Sequence, residues 1–268
     1  MKKDILNIAF LISGSGTTAQ AAIEEAQKND LAIKPAVVIA DRPAPGLVRA
    51  ECLGIPTELV IKSEFANNED FGEALLALLV SKYDIDVVMQ CGWLSFTPEN
   101  VIERFPGNII NQHPASLDAG RPDFGGKGMY GLRAITARLL YLALCRREFG
   151  FDATEMWTEA TTHFATRVID GGQIIRTERL SLVEILPKPI LVSWAVNDDL
   201  LIKFSKKVQA MLLPLEHHNI IETLRLVAAG ETLGFKREQP LIVQDRIEFL
   251  EQAKKSAIKL YKEKQNGG

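Results

Sequence analysis

Short apolar runs alternate with longer amphipathic ones, and this rhythm restricts the fold more than any other feature of the chain. "ILNIAFLI", "AVVIA", "TELVI" and "DIDVVMQ" read as buried strands, while "TAQAAIEEAQKN" and "EDFGEALLALLVSKY" carry helical spacing between them. Strands without polar alternation are buried on both faces, which is the habit of parallel sheets covered by helices. The expectation is an α/β fold with a doubly wound, mostly parallel sheet. Ligands in such sheets gather at the carboxyl ends of the strands.

The rhythm changes after "NIINQH". Residues 118–131, "DAGRPDFGGKGMYG", are too rich in glycine for a helix or central strand and read as an ordered or closable loop. "LRAITARLLYLALCRREF" should be a long, partly buried helix, and "TTHFATRVIDGGQIIRTERLSL" two strands around a turn at Gly171 and Gly172. A further helix is expected from about Glu216 to Gly230, and a charged amphipathic one in "DRIEFLEQAKKSAIKLYKEK". That last helix packs on the body or binds a partner; the sequence leaves both open.

Composition excludes several classes. With 47% apolar residues the chain is not disordered, and a net charge of -3 provides no global positive field for nucleic acid. The apolar start is short and reads as a first strand rather than a leader, and no run reaches membrane-spanning length. Three widely spaced cysteines suggest neither a disulfide scaffold nor a zinc site. A soluble cytoplasmic protein is the expectation.

Ser13 to Thr18, "SGSGTT", follows a strand and precedes a helix, so its backbone amides suit a phosphate, or the glycines simply serve a turn. Neither the third glycine of a dinucleotide fingerprint nor a Walker lysine is present. Asp41 reads equally as a ribose acceptor or a turn residue. Asn111 and His113 share a strand face by the period of two. There an amide can donate to an oxyanion and an imidazole can move a proton, although a structural histidine satisfies the same pattern. Asp170, ahead of two glycines, can be carried toward that pair, and His163 supports it or takes part directly. His217 and His218 are neighbours on a helix and do not share a face, and no metal-binding spacing occurs.

Taken together, "IAFLISGSGTTAQAAI", "VVIADRPAPGLVRAECLGIPTELV", "DIDVVMQCGWLSFTPENVIERFPGNIINQHPASL", "FGGKGMYG" and "THFATRVIDGGQII" resemble, in this order, the folate-dependent formyltransferases. The resemblance runs from about residue 6 to residue 230 and is closest to the branch that formylates glycinamide ribonucleotide in purine biosynthesis. It implies a formyltransferase-type sheet as a catalytic domain over residues 1–230, followed by a C-terminal helical extension over 231–268. It implies 10-formyltetrahydrofolate as cosubstrate, a ribonucleotide amine as acceptor, and no metal. Asn111, His113 and Asp170 match the family's catalytic residues. Ser13, Gly14, Ser15, Gly16, Thr17 and Glu216 match positions that hold the ribonucleotide. Trp93, Leu94, His163, Val168 and Ile169 match the neighbourhood of the folate.

Thr18 stands where the family usually has asparagine, and "CGWLSFTP" lacks the family's arginine. The resemblance therefore also admits another acceptor, such as a sugar-nucleotide amine or methionyl-tRNA, a formyltetrahydrofolate hydrolase, or a noncatalytic ligand-binding homologue. Partners are expected to be the small-molecule ribonucleotide amine and the folate, with no membrane, nucleic acid not expected, and the C-terminal helix available for homo-oligomer formation.

Overall fold

A computed structural model of the chain describes residues 5–28, 31–118, 120–150, 152–183, 185, 197–231 and 234–266. The chain divides into two compact units: Met1–Gln112 with Thr162–Arg167 and His217–Gly234, and His113–Thr161 with Val168–Glu216 and Phe235–Gly268.

The first unit begins with the expected alternation: β1 (Leu6–Ile12), α1 (Thr17–Lys28), β2 (Ile33–Ala40), α2 (Pro45–Cys52) and β3 (Thr57–Leu59). It continues with α3 (Asn68–Leu76), a π-helical turn (Ala77–Lys82), β4 (Val87–Cys91), α4 (Glu99–Arg104) and β5, whose span is Ile109–His113. Strands pair in parallel as β1 with β2 and β4, β2 with β3, and β4 with β5. The order β3-β2-β1-β4-β5 makes the chain travel outward from β1 in one direction and return to its other side at β4. The crevice at such a reversal is where open α/β sheets bind ligands. The last five residues of β1 and all five of β4 are buried, which explains their unbroken apolar pattern.

The second unit contains α5 (Leu132–Phe149), the first residues of β6 (Trp157–Phe164), and β7 (Ile174–Ser181). It also holds most of α6 (Asp198–Ala229) and all of α7 (Ile247–Asn266). Leu250, Ala253, Ala257 and Leu260 recur at helical spacing along α7 and are buried in one core with α5. The terminal helix thus spends its apolar face inside its own unit. The helix expected from Glu216 is the second part of α6, which starts much earlier, at Asp198. Pro214 lies within it, and a proline removes a helical hydrogen bond. Burial of Leu201, Ser205, Val208 and Leu212 at helical spacing holds the preceding turns in place. No described helix is long and apolar enough to cross a membrane.

Candidate active site

In the first unit, the loop after β1 is pinned to the loop after β4. The Ser13 amide donates to the Gly92 carbonyl at 3.1 Å, and the Leu94 amide donates to Ser13 Oγ at 2.8 Å. α1 starts at Thr17 with no acidic residue in its first turn, and Ser15 is exposed. The amides of a helix start whose own first turn carries no carboxylate form a field suited to an anion. The glycines divide the work. Gly16 has φ +70°, and a Cβ there would sit 2.8 Å from Gly46 Cα, so its first duty is the close approach of two backbones. Gly14 accepts from the Gly46 amide at 3.1 Å, and a Cβ on it would meet nothing within 4 Å.

These two positions should therefore separate binding from folding. Gly16→Ala is expected to lower Tm by several degrees, from strain of about 1–3 kcal/mol. Gly14→Ala is expected to leave Tm within a degree or so while weakening the affinity for a phosphate-bearing ligand about tenfold or more, by screening the amides. Thermal melts and titration calorimetry read the two effects. Unchanged affinity for such a ligand in Gly14→Ala would rule this loop out as an anion site.

Asp41 proves to be the knot of this loop cluster, a role its sequence context did not reveal. Its carboxylate accepts from Ser95 Oγ at 2.5 Å and from Arg42 Nε at 2.9 Å, and interacts with Ser13. Burial alone would push its pKa up, but hydrogen bonds from Arg42, Ser95 and Ser13 outweigh burial and hold it below the ordinary value. Trp93 is buried and stacks on Phe71 with ring centroids 6.2 Å apart, whereas Leu94 is exposed. Of Trp93 and Leu94, both matched to the folate neighbourhood, only Leu94 presents its side chain to solvent.

Also in the first unit, Asn111 Nδ2 lies 3.0 Å from His163 Nε2, and His163 Nδ1 lies 3.0 Å from the Phe164 carbonyl. A carbonyl only accepts, so Nδ1 carries the hydrogen and Nε2 is left to accept from the amide. This fixes which end of the Asn111 carboxamide is the donor. One Nδ2 hydrogen is used on His163. His163 is 1% exposed, and its two nitrogens orient the amide.

The second unit holds His113 and Asp170. His113 Nε2 is 3.2 Å from the Phe124 carbonyl, which places the hydrogen on Nε2 and makes Nδ1 the basic nitrogen. Nδ1 lies 3.7 Å from Asp170 Oδ2, beyond direct hydrogen-bond distance but close enough for a charge interaction once the ring is protonated. The expected meeting of the two residues occurs, but the backbone carbonyl orients the ring. Asp170 adopts φ +55° and accepts from the Gly126 amide at 2.9 Å. Val168 is exposed and Ile169 half-buried on the same turn, closed by Gly171 N donating to the Val168 carbonyl at 3.1 Å.

Glu216, half-buried on α6, has its carboxyl pushed up to about 7 by burial. An acid whose folded pKa lies above its unfolded value of 4.5 is neutral when folded. Stability is therefore full below pH 4.5 and declines as pH rises toward 7, where the folded group finally ionises. Glu216→Gln should remove that decline, raising stability by on the order of 1–2 kcal/mol above pH 7 and by almost nothing at low pH. Denaturant titrations at pH 5 and pH 8 check this; an equal effect at both would refute the burial of a neutral carboxyl. Among the described residues no group of three or more His, Cys, Asp or Glu is placed to hold a metal ion.

The formyl transferase family model matches residues 6–188. Phosphoribosylglycinamide formyltransferase of Haemophilus influenzae is 32% identical over 169 residues, which cover 63% of this chain and 69% of that protein. The human trifunctional purine biosynthetic protein adenosine-3 is 27% identical over 178 residues, 66% of this chain but only 15% of that protein. The solved structure of phosphoribosylglycinamide formyltransferase from Coxiella burnetii superposes with a TM-score of 0.64 at 29% identity, covering 88% of this chain and 92% of that one. With the family model matched over more than half of its length, the chain belongs to the formyl transferase family.

Proposed function

We propose that the protein transfers the formyl group of 10-formyltetrahydrofolate to the primary amine of glycinamide ribonucleotide. The observation that carries this reading is the fixed orientation of Asn111 by His163, which presents an amide donor from β5 at the strand position two before His113. The relatives named as phosphoribosylglycinamide formyltransferases supply the acceptor.

The amine lone pair attacks the formyl carbon, and the carbonyl π electrons move onto oxygen. The Asn111 carboxamide is the donor to that oxyanion, with a contribution of a few kcal/mol expected for such a preorganised donor. His113, basic at Nδ1, accepts the proton released by the amine and returns it to the folate nitrogen as the carbon–nitrogen bond breaks. Asp170 favours the transient imidazolium electrostatically. The new bond is a formamide, the old one is lost from the folate, and no net proton is consumed. In this reading the backbone from Ser13 to Thr17 binds the ribonucleotide phosphate, Glu216 contacts the ribonucleotide, and Trp93, Leu94, His163, Val168 and Ile169 serve the folate. α7 spends its apolar face on α5, so self-association through that helix would use its polar side.

The test is an acceptor panel: the protein with 10-formyltetrahydrofolate and, separately, glycinamide ribonucleotide, a sugar-nucleotide amine, methionyl-tRNA, or no acceptor. Both free folate and formylated product must be measured, since hydrolysis and transfer release the same folate. Product with glycinamide ribonucleotide alone supports the proposal. Folate release without any acceptor would assign a hydrolase, and no release under any condition a ligand-binding homologue.

A further inference from the structure

The segment after α6 lies outside residues 6–188, the part matched by the family model. Within the second unit it grips the glycine-rich loop at successive points. Arg237 Nε donates to the Leu117 carbonyl at 3.0 Å, and the same guanidinium pairs with buried Glu159. The Leu241 amide donates to Asp118 Oδ2 at 3.0 Å. Arg121 bridges the two segments: Nε donates to Asp123 Oδ1 and Nη2 to the Ile242 carbonyl, each at 2.7 Å.

This grip leads directly to the histidine. Asp123 is buried and strained into φ +36°, and the next residue is Phe124, whose carbonyl receives His113 Nε2. Two residues further, the Gly126 amide holds Asp170. The loop thus supplies one backbone acceptor to the base and one backbone donor to its carboxylate, and it is tied down from outside by residues 237–242.

We infer that Arg121 is a positioning residue, which together with the strap formed by residues 237–242 holds the Phe124 carbonyl where it fixes the tautomer of His113. The inference deepens the formyl-transfer reading and rests on it for its catalytic consequence, but the tautomer itself is measurable without substrate. Arginine is required because its planar fork reaches an anion and a carbonyl at once. A lysine keeps the charge opposite Asp123 and loses the second anchor.

The experiment uses the full chain labelled with ¹⁵N-histidine. His113→Asn identifies the His113 resonances, which in the wild type should report one neutral tautomer with hydrogen on Nε2. In Arg121→Lys these resonances should move toward a mixture of tautomers while those of His163 stay in place. The turnover number should fall about tenfold with each KM changed by less than about threefold, as expected for misplacement rather than lost binding. The double variant Arg121→Ala with Asp123→Asn, which avoids stranding a buried carboxylate, should give the same spectral change. An unmoved His113 tautomer in both variants overturns the inference, whatever happens to activity. If the wild type formylates no glycinamide ribonucleotide, the functional reading falls while the spectra still decide the role of Arg121.

Discussion

Replacing His113 with asparagine is expected to lower turnover by about 10²- to 10⁴-fold, the range for losing a positioned proton-transfer group. The fold should survive, because asparagine is polar and can donate a hydrogen bond in a site where the histidine donates to a carbonyl. Affinity for both substrates should change little, since the side chain is buried, 3% exposed, and is proposed to act on the reacting atoms. Stopped-flow transfer paired with ligand titrations separates the two quantities. Near-wild-type turnover would eliminate His113 as the proton-transfer residue even if the protein proved to be a formyltransferase.

Gly125→Ala should be nearly as damaging, although no side chain exists there to carry chemistry. Its φ is not left-handed, so alanine strains no dihedral, but the new Cβ would lie 2.6 Å from Asp170 Cβ and 2.7 Å from Leu117 Cδ2. Asp170 cannot retreat by rotating its side chain, because the crowded atom is its own Cβ on a turn already at φ +55°. Either the turn or the loop must shift, and a displacement near 1 Å costs about 10²-fold in rate. Overpacking should also cost about 1–3 kcal/mol of stability. In an Asp170→Asn background the rate penalty of Gly125→Ala should shrink, because the charge it displaces has already gone. Equal penalties in the two backgrounds would show that Gly125 matters to packing alone.

The sequence made some of this legible and hid the rest for identifiable reasons. β1 and β4 were readable because burial on both faces leaves an uninterrupted apolar run, and Asn111 and His113 because a strand repeats every two residues. The long α6 was read only in its second part. Pro214 interrupts the local signal, and the burial that keeps the earlier turns helical is tertiary. Asp41 looked like a turn residue because Ser95, which it accepts from, is 54 positions away. The acceptor that fixes His113 is a backbone carbonyl, and backbone carbonyls are identical at every position, so no side-chain pattern could announce it. Gly16 looked like a phosphate-loop glycine, while the structure adds a second reason for it in Gly46.

The bond between Arg121 and the Ile242 carbonyl joins positions 121 residues apart. During synthesis the strands and helices that precede the glycine-rich loop can pair and pack from contacts already made, and domains generally fold in that order. The loop beside His113 has to wait, because its outer anchor has not yet been translated, and contacts of such long separation form late. A ribosome-bound intermediate stalled before residue 237 should therefore contain an assembled sheet with β1 to β5 in place and a loop still open to protease. The loop beside His113 would thus mature only after the sheet that precedes it.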